Sequence, residues 1–226
     1  MLRHRAPGRH LAGSATAALA VLLLVTGCTA ASQAVSSASP TPSPLGEGFL
    51  GGNPSPSPEA TITPEAGSWA GVAVPRGYRV TLVAATADET AEQVVAATEE
   101  WAERDGVELD VVTAADGDEV ESAIVDATTA RVDLVLGAGA GIVDVFSLIS
   151  AQHLDQRFLV VGAELPEPTE NVTSVIWPGA SFRGSGISGD DAVDPASYTP
   201  DRVAAGLSAG VAAVVHGITG IVIALP

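Results

Sequence analysis

Apolar runs of strand length alternate with amphipathic helical segments along the last two thirds of the chain, and this alternation limits the fold more than any other feature. Residues 78–85 (YRVTLVAA) are typical of a strand buried on both faces. Residues 86–106 then show helical spacing, with a cap at Thr86 or Asp88 and a stop at Gly106. The pattern repeats, with strands expected at 107–114, 132–139, 157–165 and 172–179 and helices at 117–131 and 141–153. It predicts an α/β fold with one doubly wound, mostly parallel, Rossmann-like sheet and right-handed crossovers.

The amino-terminal segment has the pattern of an export signal, because Arg3, Arg5 and Arg9 precede an apolar run over residues 11–25. The sequence VTGC at residues 25–28 resembles the lipobox of bacterial lipoproteins, in which cleavage precedes a cysteine that receives acyl chains such as palmitate. We therefore predict a signal peptide over residues 1–27 and a lipid anchor at Cys28. This places the protein on the extracytoplasmic face of the cell membrane. The alternative is an ordinary secretory signal followed by an unrelated cysteine.

The composition changes after the predicted anchor. Pro, Ser and Gly dominate the segment that follows, so residues 28–68 are expected to form a disordered tether that begins at the lipidated Cys28. Residues 69–226 are expected to form the α/β lobe. The net charge of −17 becomes −20 without the three leader arginines, and a chain this acidic is repelled by phosphate backbones. We therefore expect no nucleic-acid partner.

Candidate ligand-binding residues follow the predicted strands, because ligands of open α/β sheets bind beyond the carboxyl ends of the strands. They are Thr86, Asp88, Glu89, Gly137, Gly139, Glu164, Trp177, Phe182 and Arg183. The glycine run GAGAG at residues 137–141 has two interpretations: its backbone N–H groups bind an anion, or its glycines only ease a tight turn.

Catalytic chemistry has little support in the sequence. His153 and His216 are isolated, and the chain has no nucleophile elbow. The GSGISG sequence at residues 184–189 does not open the helix of a first βαβ unit, as a dinucleotide site requires. We therefore predict no enzymatic activity, no metal site and no cofactor.

Residues 133–168 (DLVLGAGAGIVDVFSLISAQHLDQRFLVVGAELPEP) and 171–184 (NVTSVIWPGASFRG) resemble the first lobe of basic membrane lipoproteins. These are substrate-binding proteins of the type I periplasmic-binding fold, and the similarity spans Tyr78–Gly184. The resemblance implies capture of a small molecule, typically a purine nucleoside, for an ABC importer whose permease would be the partner. It also implies that Asp88 and Glu164 replace ribose-binding carboxylates. The alternative is a non-transport envelope lipoprotein whose degenerate single lobe acts through protein contacts.

The carboxy-terminal segment over residues 203–225 contains no Asp, Glu, Lys or Arg, and its one ionisable side chain is His216, so the segment needs an apolar environment. Glycines 217 and 220 and the β-branched IVIAL sequence favour a helix to about Val215 followed by a strand. Three placements are open: docking on the chain's own sheet, pairing with a second protomer in a homodimer, and insertion into the membrane.

Overall fold

The computed structural model describes residues 43–86, 88–184 and 193–226. The strands in this part of the chain are β1 (Thr61–Ile62), β2 (Arg79–Ala85), β3 (Glu108–Ala114), β4 (Leu134–Ala138), β5 (Phe158–Val161), β6 (Val172–Ile176) and β7 (Val222–Ala224). The helices are α1 (Glu89–Asp105), α2 (Gly117–Ala130), α3 (Val143–Ser150) and α4 (Pro200–Val215), and a 3₁₀ turn (Pro195–Ser197) precedes α4. Residues 1–42, which contain the predicted signal peptide and Cys28, lie outside the described residues.

All seven strands join one parallel sheet in the order β1-β7-β6-β5-β4-β2-β3. This confirms the predicted doubly wound α/β class. The chain runs from β2 outward to β3 and then returns past β2 to β4. The order therefore reverses between β2 and β4, and the carboxyl ends of these strands form the edge at which sheets of this class bind ligands.

Helices cover both faces of the sheet. Helices α1 and α4 share one apolar core, which includes Val94, Trp101 and Leu207, whereas α2 and α3 share a second core on the opposite face. In the second core the rings of Phe146 and Phe158 meet edge to face, with centroids 5.9 Å apart. Because both faces bury apolar side chains, the inner strands are mostly apolar, as the sequence pattern predicted.

The connection through α4 departs from the predicted handedness. Helix α1 carries the chain towards the β3 edge along one face of the sheet. Helices α2 and α3 carry it in the reverse direction along the opposite face, so all three crossovers have the same hand. Helix α4 also leads away from β3, but it lies on the α1 face, so β6-α4-β7 has the opposite hand. The expectation of uniformly right-handed crossovers was therefore wrong for this unit. A close approach stabilises α4 there: a Cβ at Gly210 would lie 2.6 Å from Leu159 Cδ1.

The segment over residues 43–68 is ordered, which corrects the predicted disordered tether over this range. Phe49 and Ile62 are each only 2% exposed and belong to the core beside α1 and α4. Thr61 and Ile62 pair with Val222 and Ile223, and Glu59 N donates to Gly220 O at 2.7 Å. The Pro- and Gly-rich composition hid a few apolar anchors that bury enough surface to order the turns between them.

The carboxy-terminal segment docks on the chain's own sheet, the first of the three predicted placements. Helix α4 packs against β5 and β6, and β7 pairs with both β6 and β1. Within the described ranges, no helix combines the length and the apolar character needed to cross a membrane. Pairing with a second protomer stays a prediction.

Candidate functional site

Asp88 caps α1 and also fixes the loop after β4. Its Oδ1 accepts hydrogen bonds from Thr90 N at 2.9 Å and from Thr90 Oγ1 at 2.6 Å. Its Oδ2 accepts a hydrogen bond from Gly141 N at 2.8 Å. The carboxylate that sequence reasoning assigned to a ligand therefore joins the two loops on either side of the strand-order reversal.

The glycine run serves the packing of these loops, which favours the tight-turn interpretation. A Cβ at Gly137 would lie 2.7 Å from Ile142 Cδ1, so this glycine lets α3 approach the sheet. Gly139 has a φ of +71°, and a Cβ there would lie 2.5 Å from Asp88 Oδ2. Both glycines are thus explained by close contacts within the chain.

Thr86 and Glu89 occupy different environments at the same edge. Thr86 donates from its backbone N and its Oγ1 to Ala114 O, at 2.8 Å and 3.0 Å, which joins the ends of β2 and β3. Glu89 is exposed in the first turn of α1. Thr86 and Asp88 also line a groove of about 360 Å³ between α1 and the end of β3.

Tyr198, which sequence reasoning missed, covers the carboxyl end of β5. Its side chain is buried, and its hydroxyl donates to Gly162 O. Burial raises the pKa of Tyr198 to about 12; a hydrogen bond with Thr90 lowers this pKa, and the charge of Asp88 raises it. A Cβ at Gly162 would lie 2.5 Å from Tyr198 Cε1, so the ring packs directly against the loop backbone.

Trp177 is buried beside Tyr198 and does not present its ring to solvent. The two ring centroids are 5.1 Å apart at an interplanar angle of 71°, an edge-to-face contact. The indole Nε1 donates to Ser197 Oγ at 3.2 Å. Trp177 is 2% exposed, so stacking on a ligand would require the 3₁₀ turn to move.

Glu164, Phe182 and Arg183 form a second group after β5. Arg183 Nε lies 3.0 Å from Glu164 Oε1, and Glu164 N donates to Phe182 O at 2.9 Å. The Arg183 side chain is 44% exposed, whereas that of Glu164 is 11% exposed. Arg183 Nη2 also donates to Pro166 O at 3.3 Å. This ion pair places a partly solvated guanidinium near the carboxyl edge of the sheet.

The structure therefore brings the sequence-predicted residues to one edge but engages most of them internally. Asp88, Gly139 and Trp177 join Tyr198 in a packed cluster, and Glu164 and Arg183 pair with each other. No described group of three or more His, Cys, Asp or Glu side chains has the geometry to hold a metal ion. Tyr198 gave no sequence signal, because it lies far along the chain from the strands that it covers.

No protein-family model and no curated protein sequence matches the chain. Among solved structures, an ABC transporter solute-binding protein from Aeropyrum pernix K1 aligns at 17% identity and a TM-score of 0.39, over 44% of this chain and 28% of that chain. A fragment from Peptoclostridium difficile 630 assigned as a lipoprotein aligns at 15% identity and 0.44, over 61% of this chain and 98% of the fragment. The LacI family regulator CCPA from Weissella paramesenteroides aligns at 13% identity and 0.36, over 64% and 57%.

All three TM-scores are below 0.5, so these alignments carry no conclusion about this chain. The chain spans 28% of the length of the Aeropyrum protein, and identities of this size carry no ligand or activity across. The basic membrane lipoprotein family stays a prediction from sequence.

Proposed function

We propose that this chain is a lipid-anchored, extracytoplasmic binding protein that acts through contact with another protein. The observation that supports this choice is the filled crevice at the carboxyl edge of the sheet. Tyr198 packs against Gly162 after β5 and against Trp177 after β6, and Asp88 joins the loops after β2 and β4. A single lobe that acts through protein contacts therefore fits this geometry better than a lobe that captures a solute at the carboxyl edge of the sheet.

Opening the crevice would cost binding energy. A ligand that entered beside Gly162 would have to move the Tyr198 ring and break its hydrogen bond to the Gly162 carbonyl. Exposing such a ring costs about 1.5–3 kcal/mol, and losing the hydrogen bond adds about 1 kcal/mol. A solute would therefore lose about two to three orders of magnitude in affinity relative to an open site.

The membrane location in this proposal rests on the lipobox at residues 25–28. Cys28→Ser removes the acceptor thiol, so we expect the protein to lose labelling by radioactive palmitate and to leave the membrane fraction. Retention of the label in the Cys28→Ser protein would contradict lipidation at this residue.

Solute capture for an ABC importer is the second candidate. It is favoured by the groove beside Thr86 and Asp88 and by the partly exposed Arg183 guanidinium, both near the carboxyl edge of the sheet. A purine nucleoside is the ligand that the sequence resemblance implies. Under the solute-capture hypothesis, Tyr198 closes a site that opens when a solute binds.

Ligand-dependent thermal stability separates the two functions. The full chain, Tyr198→Ala and Tyr78→Ala are heated with nucleosides, nucleobases and sugars. Tyr78 is the control because it is also buried, but it lies directly before β2, away from the carboxyl edge. A ligand at 100 times its dissociation constant would add about 2.7 kcal/mol to the folded state.

We expect no ligand-dependent shift in any of the three proteins. A shift in the natural chain would support solute capture and contradict the protein-contact proposal. A shift in Tyr198→Ala alone would also contradict it, because it would identify a solute site that Tyr198 closes.

A further inference from the structure

Strand β3 forms one edge of the sheet, and its outer backbone is positioned to accept another strand. Glu108 N donates to Tyr78 O at 2.9 Å, and Glu108 is in register with Arg79 of β2. Alternate residues of a parallel strand bond to the same neighbour, so the backbone N–H and C=O groups of residues 108, 110 and 112 point towards β2. The backbone N–H and C=O groups of Leu109, Val111 and Thr113 therefore point away from the sheet.

A groove of about 620 Å³ runs along this edge between β3 and α2. Apolar side chains contribute to its lining, among them Val112, Ala123 and Ala127. Leu109, Val111 and Val112 of β3 are only partly buried. The edge thus combines unpaired backbone groups with apolar surface, the two features that a strand-adding segment uses.

Acidic side chains dominate the rim of this groove. Glu108, Asp110, Glu119 and Asp126 are all exposed there. Glu119 also accepts a hydrogen bond from Ala115 N at 2.7 Å, which fixes its position at the start of α2. Arg79 lies at one end, where its guanidinium donates to Ala130 O at 3.0 Å. The groove therefore presents an excess of negative charge to whatever occupies it.

We infer that the β3 edge binds an extended segment of a partner protein that carries Lys or Arg at alternate positions. This inference rests on the proposed protein-contact function and names its surface and partner chemistry. Alternate side chains of an added strand point to the same sheet face, about 7 Å apart. That spacing matches Glu108 and Asp110, two residues apart on the α2 face, and it places cations over both carboxylates.

Charge disfavours the other occupants. A second copy of this chain would bring its own Glu108 and Asp110 against the same acidic edge, and like charges on neighbouring strands repel. The chain's own segment over residues 29–42 contains no basic residue, so it lacks the complementary charge. The described residues also offer no set of three ligands for a metal ion.

Fluorescence anisotropy with defined peptides tests this inference on the full chain. The probe is an alternating Lys-Val peptide, and a Lys-Pro peptide of equal charge is the control because proline cannot donate to a ladder. An alternating Glu-Val peptide controls for charge sign. The Glu108→Gln, Asp110→Asn double variant removes the edge charges, and Glu100→Gln, Glu103→Gln removes two exposed charges from α1 as the matched control.

We expect the Lys-Val peptide to bind about tenfold more tightly than the Lys-Pro peptide, and the Glu-Val peptide not to bind. The edge double variant should weaken Lys-Val binding about tenfold, and the α1 double variant less than about twofold. Val111→Pro should also weaken binding, because it removes an outward N–H without removing a bond to β2.

Three results would overturn the inference. They are no binding of the Lys-Val peptide, equal binding of the Lys-Pro peptide, and equal weakening by the two double variants. A natural-chain dimer that Val111→Pro dissociates in sedimentation would also overturn it, because the occupant would be a second copy. A nucleoside-dependent thermal shift would contradict the protein-contact function and leave the peptide result standing, so the two failures are distinguishable.

Discussion

Gly139→Ala tests whether the glycine turn exists to hold Asp88. Gly139 has a φ of +71°, and an added Cβ would lie 2.5 Å from Asp88 Oδ2 and 2.8 Å from Thr90 Oγ1. Contacts this short force the carboxylate to move. The substitution is therefore expected to break the α1 cap as well as to strain the backbone.

The magnitude follows from two contributions. A non-glycine residue in the left-handed region costs about 1–2 kcal/mol, and loss of an N-cap costs about 0.5–2 kcal/mol. We expect Gly139→Ala to lower the free energy of unfolding by about 1.5–4 kcal/mol. Gly217→Ala is the matched control, because Gly217 has a φ of +70° and no heavy atom of the described residues lies within 4 Å of its Cβ position. It should show only the backbone contribution.

Urea denaturation followed by tryptophan fluorescence measures both changes, provided that unfolding is two-state. Asp88→Ala supplies a second check, since removing the carboxylate should make Gly139→Ala less costly in that background. Equal losses for Gly139→Ala and Gly217→Ala would refute the proposed role of the Asp88 contact. Additive losses in the double variant would refute it independently.

The remaining predictions concern buried polar groups. The free energy of unfolding should fall as pH rises above 10, because burial raises the pKa of Tyr78 and Tyr198 to about 12. Between these values the folded chain keeps the phenol protons that the unfolded chain loses. Phenolate absorbance that appears near pH 10 in the folded protein would contradict this. Asn171→Ala should cost about 2–3 kcal/mol in urea denaturation, since Nδ2 lies 3.0–3.1 Å from three carbonyls at the end of α3 and in the loop that follows it. A loss under about 0.5 kcal/mol would argue against this. Arg183→Gln should cost about 1 kcal/mol in the same assay by removing the ion pair between Arg183 and the mostly buried Glu164, and an unchanged free energy of unfolding would count against that contribution.

Local sequence patterns predicted the inner elements closely. The apolar run at 78–85 became β2, and the helix after it begins at Glu89 with Asp88 as its cap and Gly106 as its C-cap. These features depend on residues within one or two turns of each other, so the sequence carries them locally. The expected helix to about Val215 and the following strand were confirmed for the same reason.

The candidate site was predicted only in part. Sequence reasoning placed Asp88, Gly139 and Trp177 at one edge of the sheet, and the structure brings them there. It did not foresee that Tyr198 fills the space between them, because the contact of Tyr198 with Gly162 joins segments on opposite sides of β6. Tyrosine is common in protein cores, so its presence in the sequence did not indicate which space Tyr198 would fill.

The sequence by itself determined the fold class and the buried faces of the helices and strands, because hydrophobic periodicity reports which side of each segment avoids water. Only the tertiary structure decided that Thr61 and Ile62 extend the sheet, that α4 lies beside α1, and that β3 is left as an acidic edge. These outcomes depend on which apolar surfaces meet across long stretches of chain. Composition and spacing describe the apolar surface of each helix or strand separately, and they do not indicate which other element of the chain packs against it.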